Sequence, residues 1–227
     1  MKYGIMGAMP DEVDQLCARL SGVEMQQYAG VEYHQGRLGD KEVVVCCAGM
    51  GKANAAATTQ VLCGKFGAQA IIFSGIAGNM SEEIGIGDVV VGKEVCYHDA
   101  EVSMICQSAP FLKSYTGDPA LVQAALDACV ALGVKAIAGR IATGDTFVGD
   151  GATKAVIAEK VHPDCVEMEG AAVSQIAARN GVPCVVLRAM SDNADESGHE
   201  LLVVKKFSIA EYVTTATAIV ARMLESL

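Results

Sequence analysis

Hydrophobic positions in this chain fall into two textures: short β-branched runs, and longer alanine-rich stretches with apolar residues at helical spacing. The short runs predict buried strands over residues 3–8, 70–74, 88–95 and 136–143, then 184–189, with a strand end at Cys165-Val166. Residues 31–37 and 42–47 predict a hairpin turned at Gly39-Asp40. The alanine-rich stretches predict helices over 11–20, 51–65, 118–132, 152–160, 169–180 and about 205–227. Asp11 and Glu12 suit a helix N-terminus, and Asp118-Pro119 reads as a cap followed by a first helical residue. Strands alternating with helices define an α/β layer protein. From His98 to Asp118 the pattern lapses into an irregular polar segment with Pro110 and Gly117, suited to a flap or a partner contact. Gly75-Ile76-Ala77-Gly78 and residues 144–149 read as loops following strands. Nothing resembles a linker, repeat or low-complexity tract, so a single domain over residues 1–227 is expected.

Composition narrows the class. With 227 residues, 52% hydrophobic and 19% charged, the chain can build a sizeable core. It has no tryptophan, so that core is aliphatic. A net charge of −10 argues against nucleic acid or an anionic membrane as the main partner, since phosphate binding needs clustered Lys and Arg. The nine cysteines are odd in number, include the adjacent Cys46 and Cys47, and form no C-x-x-C pair, so reduced thiols rather than disulfides or a metal site are expected. Asp11-Glu12 comes too soon for a signal peptide, and no apolar run is long enough to span a bilayer. A cytoplasmic protein is the expectation.

Several motifs fail on inspection. Gly49-Met50-Gly51-Lys52 resembles the end of a phosphate-binding loop, but Cys46 and Ala53 stand where Gly and Ser or Thr are required. His199-Glu200 lacks the second histidine of a zinc protease, since Val203 occupies that position. No G-x-G-x-x-G follows the first strand. Asn79-Met80-Ser81 fits a glycosylation acceptor only in a secreted protein.

The chemistry concentrates at two strand ends, Val166-Glu167-Met168-Glu169-Gly170 and Arg188-Ala189-Met190-Ser191-Asp192-Asn193-Ala194-Asp195. Ligands of α/β proteins bind at the carboxyl ends of strands. Four acids and an arginine there are costly to desolvate unless they pair with each other or with a ligand. The pattern suits a polar, hydroxyl-bearing substrate whose reaction builds positive charge.

In these segments, together with Gly7-Ala8-Met9…Glu12, Gly75-x-Ala77-Gly78, Tyr97-His98-Asp99-Ala100 and Gly144-Asp145-x-Phe147, the chain resembles the 5′-methylthioadenosine/S-adenosylhomocysteine nucleosidases, within the wider nucleoside phosphorylase-type family. The motifs occur in the family's order and span nearly the whole chain. The resemblance implies a three-layer α/β/α sandwich around a mixed, twisted sheet, a homodimer, and hydrolysis of an adenine nucleoside with no cofactor. Glycosidic cleavage builds an oxocarbenium-like sugar and an anionic purine, so it needs an acid on the base and a base that orients water. By resemblance Asp192 is the proton donor and Glu12 the water-activating base. Burial or neighbouring acids would have to keep the Asp192 carboxyl protonated.

The resemblance further places Glu169 on the ribose hydroxyls, Met168 against the sugar and Phe147 on the adenine ring, with the Val148 backbone at the exocyclic amine. Met9, Gly78, Arg188 and Ser191 complete the substrate contacts. Glu167 is open between a site role and an ion pair with Arg188. Ile76 stands where many relatives carry serine, Leu202 where an aromatic is common, and residues 103–115 match poorly. That segment helps the family build its 5′-substituent pocket across a dimer interface, so a futalosine-type substrate is an alternative. A phosphorylase is disfavoured because Pro10, Asp11 and Glu12 would repel phosphate. A non-catalytic nucleoside-binding protein is disfavoured by the retention of Glu12 and Asp192.

Overall fold

The computed structural model describes residues 1–199 and 210–227. Leu202, Val203, Glu200 and the start of the predicted last helix lie outside the described residues. Strand β1 (Lys2–Gly7) is followed by helix α1 (Pro10–Cys17), whose first residue is a proline. Strands β2 (Ser21–Tyr28), β3 (Val31–Leu38) and β4 (Lys41–Cys47) form a meander, and the β3–β4 turn is Gly39-Asp40 as the pattern predicts. Helix α2 (Lys52–Gly64), β5 (Ala70–Asn79) and β6 (Val89–Tyr97) come next. A short helix α3 (Val102–Ile105) and a two-residue strand β7 (Tyr115–Thr116) occupy the irregular segment. Then follow α4 (Pro119–Leu132), β8 (Ala136–Thr143), α5 (Gly151–Val161), β9 (Cys165–Glu167) and α6 (Gly170–Arg179). Strand β10 (Cys184–Asp192), a short α7 (Glu196–His199) and α8 (Ala210–Ser226) complete the described chain.

The strands form one mixed sheet in the order β10-β6-β8-β9-β5-β1-β4-β3-β2, and β10 also pairs with β5. That extra pairing closes β5, β9, β8, β6 and β10 into a ring, with β1, β4, β3 and β2 as an arm. The ring is held by parallel β10–β5, β6–β8 and β8–β9 ladders and antiparallel β10–β6 and β5–β9 ladders. Helices cover both faces. One apolar cluster joins Ile5, Ile72, Val91 and Leu187 to Leu16, Leu121 and Val220 of α1, α4 and α8. The other joins Met6, Phe73, Val90 and Val186 to Ala55, Leu62, Ala171 and Val173 of α2 and α6. This is the expected layered α/β/α arrangement.

Of three differences from the predicted elements, two bear on the site. Residues 75–78, expected to be a loop, continue β5 as far as Asn79, because β10 and β9 supply ladder partners there. Strand β10 likewise runs past Ala189 to Asp192, with a bulge between Met190 and Asp192. Strand β2 gives no sequence signal, since every residue in it is exposed and no alternation marks a buried face.

Candidate active site

Glu12 sits in the first turn of α1, and its carboxylate is held by main-chain donors rather than by side chains. Oε2 accepts from Ala8 N at 2.6 Å and Met9 N at 2.9 Å, and Oε1 accepts from Ile76 N at 3.2 Å. The Met9 contact is the reach-back half of a capping box, so helix initiation and placement of the acid are one event. Ile76 makes its contact through the backbone, which leaves the anchor independent of the side chain at that position. Burial pushes the Glu12 carboxyl up, while Arg188 and these N–H donors oppose the shift without cancelling it.

Arg188 is the cation at the centre, 1% exposed, its guanidinium carbon 4.2 Å from the Phe73 ring centroid. Its Nη2 donates to Glu167 Oε2 and lies 3.5 Å from Glu169 Oε2. Glu167 also accepts from Thr143 Oγ1, from Glu169 N at 3.1 Å and from Gly170 N at 2.7 and 3.0 Å. It therefore closes the N-terminus of α6 and pairs with Arg188. Buried ions need such partnering, and here Glu167 is the well-satisfied member, while Arg188 Nε makes no hydrogen bond. Of the two readings open for Glu167, the structure displays the ion pair.

Glu169 lies at the N-cap of α6, with Oε1 accepting from Gly51 N at 2.8 Å across the site. Burial and the neighbouring Glu167 push its carboxyl up to about 7, against the pull of Arg188 and the Gly51 N–H. Asp192 ends β10 and is buried. Its Oδ1 accepts from Ala194 N at 2.8 Å, and Oδ2 lies 2.8 Å from Ser191 Oγ, which is 3.3 Å from Ala77 O. The bulge in β10 re-aims this end of the strand, a common use of bulges beside functional sites.

Two glycines of β5 make room for the acids. A Cβ on Gly75 would collide with Arg188 Nη1 and sit 2.5 Å from Glu12 Oε1. A Cβ on Gly78 would lie 3.0 Å from Asp192 Oδ1 and 2.8 Å from Ala194 Cβ. The two acids thus flank stations three residues apart on one strand, about 10 Å at strand rise.

A cavity beside Asp192 is lined by Gly78, Thr146, Phe147, Val148, Val166, Glu167 and Met168. Val148 is buried and Phe147 is 41% exposed. The structure thus gathers Gly78, Phe147, Val148, Met168 and Asp192 around one cavity, and Glu167, which also lines it, joins it to the cluster of Arg188, Glu169 and Glu12, with Met9 bonded to Glu12 through its backbone. The sequence assigns Gly51, Thr143 and Phe73 no role in the site, Gly51 standing only in the rejected phosphate-loop motif. Only the position of Thr143 at a predicted strand end hinted at it. Among the described residues no group of His, Cys, Asp and Glu is arranged to hold a metal ion, and no helix is long and apolar enough to cross a membrane.

The family model of the phosphorylase superfamily matches residues 2–225, which span this closed mixed sheet and the acids at its strand ends; the chain belongs to that superfamily. Within that superfamily its branch is the 5′-methylthioadenosine/S-adenosylhomocysteine nucleosidases. A nucleosidase of that name from Shewanella sediminis (strain HAW-EB3) is 41% identical over 201 residues, 86% of this chain and 87% of the relative. The nucleosidase from Colwellia psychrerythraea 34H, solved in complex with adenine, matches with a TM-score of 0.92 and 32% identity over 100% of this chain and 96% of that one. A futalosine hydrolase from Helicobacter pylori strain 26695 matches with a TM-score of 0.89 and 30% identity over 100% and 98%.

Proposed function

We propose that this protein hydrolyses the N-glycosidic bond of 5′-methylthioadenosine and S-adenosylhomocysteine, releasing adenine and the 5-thioribose product. The observation that carries the proposal is the pair of buried acids, Glu12 and Asp192, beside Gly75 and Gly78 of one strand. Asp192 protonates the departing purine. Ser191 Oγ donates to Asp192 Oδ2 and Ala194 N donates to Oδ1, which fixes the carboxyl at the end of the strand. Glu12, anchored by three backbone donors, orients the attacking water and takes its proton. Glu169 accepts the ribose hydroxyls and favours positive charge developing on the ring. Phe147 stacks on adenine, the Val148 backbone reads its amine edge, and Met168 and Met9 pack against the sugar side. Gly78 keeps the approach to Asp192 open, and Arg188 holds the carboxylates in register.

Hydrolysis is preferred to phosphorolysis because Arg188 is already engaged by Glu167 and Glu169, and the charges in the first turn of α1 are the acids Asp11 and Glu12. The chain works as a single domain, as a cytoplasmic homodimer. A futalosine-type substrate is the second reading, supported by the likeness to the Helicobacter pylori hydrolase. Chromatography of products from methylthioadenosine, adenosylhomocysteine and aminofutalosine, with and without phosphate, tests all of this. Free adenine from the first two without phosphate is expected. Ribose 1-phosphate products, preference for aminofutalosine, or binding without base release would each overturn the proposal.

A further inference from the structure

Three sequence motifs remain without a task in that mechanism: Gly49-Met50-Gly51-Lys52, Tyr97-His98-Asp99-Ala100 and Gly144-Asp145. The structure brings them together at the start of α2. We propose that Lys52 is a positioning residue for the reaction, holding the Gly51 N–H on the sugar carboxylate Glu169 and the 146–148 segment beside the base. The inference rests on the adenine nucleosidase reading and adds to it a residue that touches no substrate.

Helix α2 has no side-chain cap of its own. Instead, Gly51 N donates to Glu169 Oε1 at 2.8 Å and Lys52 N donates to Asp145 Oδ1 at 2.8 Å. One helix end therefore grips the sugar side and the base side of the site at once. Asp145, whose side chain is 53% exposed, shares that helix end with Asp99. Asp99 Oδ2 accepts from Asp145 N at 2.9 Å, which brings two carboxylates to one place. Lys52 Nζ resolves the conflict, lying 2.8 and 2.7 Å from the Asp99 oxygens and 3.5 Å from Asp145 Oδ2, with the Tyr97 ring centroid 5.6 Å away. Burial would raise the Asp99 carboxyl, yet the Lys52 and Asp145 contacts hold it below its ordinary value. The Lys52 and Asp99 side chains are only 23% and 26% exposed, so the pair is shielded more than most surface ion pairs. Without the ammonium, the carboxylates repel, Asp145 leaves the helix end, and Gly51 loses its register on Glu169.

The groups facing Glu169 are Glu167 from β9, Arg188 from β10, Glu12 from α1 and the Gly51 N–H from α2. Only the last depends on Lys52. Losing a donor to the ionised form raises a carboxyl's pKa. In Lys52→Met, the acid limb of the kcat/KM profile for methylthioadenosine hydrolysis is therefore expected to move to higher pH. At neutral pH kcat/KM should fall roughly tenfold, the scale of one charge-assisted hydrogen bond, mainly through KM. Lys52→Arg should restore most of it, and Asp145→Asn should shift the limb the same way, which serves if Lys52→Met folds poorly. Adenine affinity by calorimetry, which needs no turnover, should fall several-fold in Lys52→Met. An unmoved acid limb with unchanged adenine affinity, whatever the melting temperature, overturns the inference. If the wild type releases no adenine from nucleosides while Lys52→Met still loses adenine affinity, the hydrolase reading fails and this inference stands.

Discussion

Arg188 neighbours three carboxylates, Glu12, Glu167 and Glu169, in one buried cluster. Burial pushes both Glu12 and Glu169 up, Glu169 to about 7 with Glu167 adding to the rise, against the pull of Arg188. A carboxyl raised on folding contributes stability that is present below its unfolded pKa and lost as pH rises through its folded one. For Glu169 that window runs from 4.5 to about 7. Glu169→Gln, which never ionises, should therefore gain melting temperature relative to wild type as pH rises through this window, with a plateau above it. A gap that does not change between pH 5 and 8 would contradict the raised carboxyl. The same variant should weaken ribose recognition, while Asp192→Asn should abolish measurable hydrolysis, since acid–base groups of this kind contribute about 10²–10⁴-fold. Near-normal turnover by Asp192→Asn would remove the proton donor from the mechanism. The acids at the ends of β9 and β10 were legible in the chain because apolar runs stop at them. The anchors of Glu12 were not, since backbone N–H groups carry no residue identity.

At the scale of elements, β5 is the strand on which the site depends. Gly75-Ile76-Ala77-Gly78 reads as a loop because two glycines in four residues weaken a strand pattern. Pairing on both sides overrides that weakness, and the glycines are there so that Glu12, Arg188 and Asp192 can approach the backbone. Gly75→Ala should accordingly cost stability, by about 1–3 kcal/mol for overpacking, and also depress kcat/KM by displacing Glu12 and Arg188. Denaturant midpoints and kinetics together check this. Wild-type values for both would mean that the close approach is not required. The missed β2 has the opposite cause, since it is an edge strand with no buried face and only its pairing with β3 reveals it.

For the whole molecule, the ring closure explains how residues 12 and 192 come to share a site, because β5 pairs with β1 on one side and β10 on the other. Alternation of strands and helices made the layered class legible, but nothing local encodes the β10–β5 closure. The segment between β6 and β7 is the part left open, and it exposes Met104 at 63% and Phe111 at 68%, with Leu112 also exposed. Exposed large apolar side chains on one segment suit an interaction face. With the family resemblance assigning this segment to a 5′ pocket built across a dimer, a second copy of the chain is the occupant expected. Sedimentation should give a dimer for the wild type. Phe111→Asp, placing a charge on this exposed segment, should shift the equilibrium toward monomer. Because Asp192 and the 146–148 segment lie within one chain, adenine affinity should survive in that monomer. The KM for methylthioadenosine should rise, since the 5′ group would lose its cover. Full activity in a monomeric Phe111→Asp, or a wild type that sediments as a monomer while active, would place the 5′ pocket within a single chain.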